Sequence, residues 1–200
     1  MSSKTFTLPA FPLNLIVLPG ETKVLHIFEE RYRELVNDCL KNKANFGIPF
    51  LHKSKMEGFG SIVQISNVLQ IFPNGEMDIE ITGVAPFKII RFTRQLSPKL
   101  YGAANIEEYE VETFSKNVEL ILLLNDYIQI IKKQKLFIEK QSGISVYKIA
   151  QFIDLINSDK LELIRLPSLA SKENFLIEKI RFSLKIAKIE RNLGERFTLN

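Results

Sequence analysis

The chain has 200 residues, 46% of them hydrophobic and 25% charged, with 27 Lys+Arg against 23 Asp+Glu for a net charge of +4. That suits one or two globular domains with a sizeable core. A single cysteine, Cys39, excludes an intrachain disulfide and the usual multi-cysteine zinc sites.

The charge is uneven. Residues 1–112 hold 12 Lys+Arg against 13 Asp+Glu, and residues 113–200 hold 15 against 10. An excess that small, spread over helices, reads as a solvated face rather than a nucleic-acid footprint. Lys4, Pro9, Pro12 and Asn14 interrupt any signal-peptide core, and the apolar run Leu120–Leu124 is far short of the about 20 residues that cross a bilayer. The expectation is a cytoplasmic protein with no membrane contact.

In chain order, residues 1–10 read as a polar segment, frayed as far as Leu8-Pro9. Two short apolar runs follow, Leu15–Leu18 and Val24–Phe28, around the turn chemistry of Pro19-Gly20-Glu21-Thr22. They predict a paired ribbon. The second run passes into Tyr32, Leu35, Val36, Cys39 and Leu40, the spacing of an amphipathic helix that starts at Glu29-Glu30 and ends near Asn42. Cys39 lies on its apolar face, so it reads as a packed thiol. Phe46–Leu51 predicts a strand in which Pro49 demands an edge or a bulge. His52–Gly60 reads as a polar loop.

Ser61–Phe72 alternates with a slip at Ser66-Asn67, which predicts a bulge. Asn74-Gly75 within Pro73–Glu76 is a strong hairpin signal. Met77–Val84 alternates again, Gly83 reads as a bend before Phe87–Phe92, and a last strand fits Gly102–Glu112. Six or seven short, mostly antiparallel strands with one inserted helix predict a small barrel or strongly bent sheet.

At Phe114-Ser115 the period becomes helical. Ser115 reads as the cap of a helix reaching about Lys140, and Ser145 as the cap of Val146–Ile156. Asn157-Ser158-Asp159 precedes a short helix Lys160–Leu166, and Ser171 opens a last helix ended by Gly194. The fold class is therefore α+β: a β-rich part, residues 1–113, then a helical bundle, residues 114–200.

No catalytic set assembles from the residues. His26 and His52 are the only histidines; His26, between Leu25 and Ile27, reads as a hydrogen-bonded structural residue, and His52 as exposed. Without a HExxH or CxxC pattern, no metal site is expected. Without a phosphate-binding glycine loop or a serine elbow, neither ATP nor acyl chemistry is expected, and no cofactor is implied. Glu29 is placed to bond the first N–H groups of its helix, Tyr32 to begin the buried stripe, and Arg31 to brace a neighbouring loop through carbonyls.

The stretches FPLN, LPG and HIFEERYRELV, within Phe11–Leu40, resemble the signature of the Lon N-terminal domain, the substrate-binding module of ATP-dependent Lon proteases. The resemblance makes Pro12, Pro19, Gly20, Phe28, Glu29, Arg31 and Tyr32 family-signature positions, read here as structural. It implies a barrel like that of pseudouridine synthase and archaeosine transglycosylase (PUA-like), followed by helices. It implies binding of exposed apolar segments of client polypeptides, or docking on a partner such as a separate protease or chaperone. The family's ATPase and peptidase belong to later domains, so no catalysis is implied. The other class in play is a PUA-like RNA-binding module, against which the β-rich part shows no basic cluster interleaved with aromatics.

Overall fold

The computed structural model describes residues 5–108, 112–133, 138 and 143–197, with side chains in the last helix as far as 189. The chain divides into two compact units. The first comprises Met1–Glu110 and, from much later in the sequence, Ile156–Arg165; the second comprises Val111–Leu155 and Leu166–Asn200.

In the first unit, strands β1 (Thr5–Ala10), β2 (Thr22–Ile27), β3 (Phe46–His52), β4 (Lys55–Ile71), β5 (Met77–Thr93) and β6 (Gly102–Glu108) form one sheet in the order β2-β5-β4-β3-β1-β6. A further pairing of β5 with β6 closes β5, β4, β3, β1 and β6 into a ring, and leaves β2 on the first half of β5. Leu8, Ala10, Ile62, Phe87, Ala104 and Ile106 form one apolar cluster on these strands. Helix α1 (Glu30–Asn42) buries Tyr32, Leu35, Val36 and Cys39 in a second, against Ile27, Met77, Ile79 and Ile81 of β2 and β5. Burial raises the Cys39 thiol pKa to about 11, which suits a packed group rather than a nucleophile.

Several sequence expectations change here. Thr5–Ala10 is a full strand on β6, with Leu8 and Ala10 buried on its inward face, so it does not fray. Lys53 and Ser54, both at positive φ, join β3 to β4 directly, so His52–Gly60 is a tight hairpin and not a loop. Gly83 does not bend the chain out of the sheet: β5 runs through it, with the extra residue Val84 absorbed where Ile62 pairs Ala85 and Val63 pairs Gly83. Bulges do occur near Pro49 and between Ile65 and Asn67. The Pro73–Glu76 turn closes with Gly75 N–H donating to Phe72 O and Gly75 at φ +82.

The largest change concerns Leu15–Leu18. It is not a strand, although Ile16, Val17 and Leu18 are fully buried. Its amides bond side chains instead of a ladder: Ile16 N–H to Asn157 Oδ1 (3.1 Å), Val17 N–H to Ser61 Oγ (2.9 Å) and Leu18 N–H to Glu21 Oε2 (3.0 Å). The turn at Pro19-Gly20 is present, with Glu21 N–H on Leu18 O and Gly20 at φ +74. It docks on β5 where a Cβ at Gly83 would sit 2.2 Å from Leu18 O.

Helix α4 (Asn157–Arg165) belongs to this first unit and starts earlier than Lys160. Asn157 donates to Asn14 O, and the buried Lys160 ammonium lies 2.6 Å from Glu21 Oε1. Arg165 reaches Glu57 O at 2.6 Å.

The second unit holds α2 (Val118–Ile130), α3 (Val146–Phe152) and α5 (Leu169–Phe197), with a two-residue ribbon of β7 (Phe114–Ser115) and β8 (Ile144–Ser145). Asn117, rather than Ser115, caps α2; Ser115 Oγ instead accepts the Asn117 N–H and donates to Glu173. The helix stops at Ile130, and buried Asn125 exchanges two hydrogen bonds with the backbone of Ile138; residues 134–137 and 139–140 of the expected helix lie outside the described residues. Ser145 caps α3 through Tyr147 N–H, but α3 ends at Phe152 rather than Ile156. Ser168 is the cap of α5, with Ser171 as its reciprocal partner three residues on, and the helix runs through Gly194. Burial lowers the Lys172 amine to about 8. The expected strand residues at 109–111 and the Gln141-Ser142 break lie outside the described residues.

Candidate functional site

The strand directions put the last residues of β1, β3 and β5 and the first residues of β4 and β6 at one mouth of the ring. A cleft of about 630 Å³ opens there. Ala10, Leu51, Met56, Phe92 and Gly102 come to it from those strand ends, and Arg94 from just beyond β5. Phe11, Pro12 and Leu13 form another wall, held because Phe11 N–H donates to Gly47 O, Leu13 N–H to Pro49 O and Leu51 N–H to Leu13 O. The start of α1 adds Glu29, Arg31 and Tyr32.

Aromatic stacking organises this wall. The Phe11 and Tyr32 rings stack with centroids 3.7 Å apart, and the Arg31 guanidinium lies 4.6 Å from the Tyr32 ring centre. Burial raises the Tyr32 hydroxyl above its ordinary range, so it stays neutral at physiological pH. Glu29 occupies the cap position but makes no side-chain cap bond; its carboxylate takes Arg31 Nε at 2.9 Å and Nη2 at 2.7 Å. That ion pair uses the Arg31 fork, and the carbonyl brace expected of Arg31 is made by Arg33, whose Nη1 donates to Asn74 O at 2.8 Å. The arrangement offers a mixed surface, with the side chains of Phe11, Tyr32, Leu51, Met56 and Phe92 beside the charged groups of Glu29, Arg31 and Arg94. That composition suits a binding cleft.

The family model described as the ATP-dependent protease La (LON) substrate-binding domain matches residues 7–178. The chain belongs to this family. Its fold is that of a Lon N-terminal domain protein from Xanthomonas campestris (TM-score 0.65, 20% identity, covering 86% of this chain and 98% of that one). It is also that of the N-terminal domain of a Lon protease from the Mycobacterium avium complex (TM-score 0.65, 15% identity, 88% and 98% covered). No curated protein sequence matches the chain.

The structure divides the Lon signature positions among three places. Pro12, Glu29, Arg31 and Tyr32 line the cleft. Pro19 and Gly20 form the turn docked on Gly83, and Phe28 is 60% exposed with its ring 6.1 Å from that of His26. Met56, Phe92 and Arg94 are cleft residues that the sequence did not single out; strand register alone brings them to the mouth. His26 is exposed and hydrogen-bonded, its Nδ1 2.7 Å from Asp78 Oδ1. Among the described residues no group of three or more His, Cys, Asp or Glu could hold a metal ion, and no helix is long and apolar enough to cross a membrane.

Proposed function

We propose that this chain is a polypeptide-binding module without chemistry of its own, and that the ring-mouth cleft accepts exposed apolar segments of client proteins. The observation carrying this is the convergence of four family-signature residues, Pro12, Glu29, Arg31 and Tyr32, on one aromatic-walled cleft. A client side chain entering it buries apolar area at about 25 cal/mol per Å², with loose preference among apolar types because the walls offer surface rather than a shaped slot. A recognition module of this kind serves a separate protease or chaperone by holding the client.

Binding of a fluorescently labelled, permanently unfolded polypeptide to the full chain tests the site. Met56→Asp places a carboxylate in the apolar wall and weakens binding about tenfold or more, the loss expected of a hot-spot contact. Ile71→Asp, on β4 outside the cleft, leaves binding unchanged. The reverse pattern would place the client elsewhere and remove the cleft from consideration.

A further inference from the structure

We infer that the client segment taken by this cleft carries a side-chain carboxylate two residues from its apolar anchor, and that Arg94 receives it. The inference rests on the cleft being the polypeptide site.

The two cleft guanidiniums differ in what they already hold. Arg31 is occupied by Glu29, both nitrogens on the same Oε2 at 2.9 and 2.7 Å, so that pair is neutral as a unit. Arg94 is exposed and, among the described residues, has no hydrogen-bond or ion-pair partner. The cleft therefore presents one uncommitted fork of donors beside apolar walls. A guanidinium binds a carboxylate through two parallel N–H bonds, and neighbouring apolar surface strengthens the attraction by excluding water.

Spacing sets the pattern of the ligand. Phe92 lies near the end of β5 and Arg94 follows its last residue at a bend, so the two are i and i+2 in sequence and both line the cleft. Two residues of extended chain advance about 7 Å and return side chains to the same face. An extended client offers the same repeat: an apolar side chain against Phe92 puts an Asp or Glu two positions away against Arg94.

The test uses the full chain and peptides acetylated and amidated at their ends, in an uncharged host, containing Phe-Thr-Glu, Phe-Thr-Gln or Ala-Thr-Glu. Phe-Thr-Glu is expected to bind about fivefold tighter than Phe-Thr-Gln, as one ion pair at an interface edge provides. In Arg94→Gln that ratio falls to one. Equal binding of the Glu and Gln peptides to the wild-type chain overturns the inference and leaves the cleft reading standing. So does a gain seen only in an uncapped Phe-Thr-Gln peptide, whose sole carboxylate is its C-terminus, or displacement of Phe-Thr-Glu by single-stranded RNA at lower concentration than by peptide. Failure of every Phe peptide to bind overturns both.

Discussion

At His26 the imidazole is set between two acceptors, one on the paired strand β5 and one in the turn just before it. Its Nδ1 lies 2.7 Å from Asp78 and its Nε2 3.4 Å from Glu76, with Phe28 and Phe72 rings alongside. The Asp78 hydrogen bond, helped by the charge of Glu76, raises its pKa above the ordinary value. A partner that favours the protonated ring stabilises the folded chain fully below the ordinary imidazole pKa of about 6.5, and this stabilisation is lost as pH rises through the higher folded value. The ring proton resonances followed by NMR should therefore titrate above that of a free histidine, and Asp78→Asn should bring the midpoint down. An unchanged midpoint in Asp78→Asn would assign the shift to another group. The sequence showed His26 on a strand between apolar neighbours but not its partners, since Asp78 faces it only through the pairing of His26 with Asp78 in the β2–β5 register.

At the scale of elements, α1 and the Pro73–Glu76 hairpin were legible because their determinants are local: a 3.6-residue apolar stripe and an Asn-Gly turn. Leu15–Leu18 was not, because its amides are satisfied by Ser61, Asn157 and Glu21, two of them remote in sequence. An apolar run reads as a strand only if a ladder is available, and nothing local reveals that side chains will replace it. Ser61 is the informative member, buried at 1% exposure and accepting the Val17 N–H. Ser61→Ala leaves that amide without an acceptor and should cost about 1–3 kcal/mol by urea denaturation, the penalty of an orphaned buried donor. A cost near zero would mean that Val17 finds another partner, and that Leu15–Leu18 is held by burial alone. The helix ends show the same division: Ser145 was a correct cap because it acts two residues away, whereas Ser115 is drawn from that role by Glu173 on α5.

For the whole molecule, half of the candidate site was written in one stretch of sequence and half was not. Pro12, Glu29, Arg31 and Tyr32 fall within the Lon-like signature, while Met56, Phe92 and Arg94 reach the cleft only because five strand ends share one mouth of the ring. The same non-locality governs stability, because the first unit is completed by α4, which returns from residues 156–165. Its buried ion pair is Lys160 to Glu21, 2.6 Å apart at 7% and 11% side-chain exposure. Burial pushes the Glu21 carboxyl upward, but hydrogen bonds from Lys160 and Leu18 N–H, with the Lys160 charge and Lys23, outweigh it and hold the group below its ordinary value. Lys160→Met removes the main counter-charge from a carboxylate that stays out of water, and should cost about 3–5 kcal/mol in urea denaturation at neutral pH. Adding Glu21→Gln should recover part of the loss, since a neutral amide oxygen still accepts the Leu18 N–H. The wild-type contribution is complete above the ordinary carboxyl range and fades as pH falls through the lowered folded value, so the gap between wild type and Lys160→Met should narrow in acid. A loss below about 1 kcal/mol, no better than an exposed pair, would mean that α4 is held to the first unit by its apolar contacts and Asn157 instead.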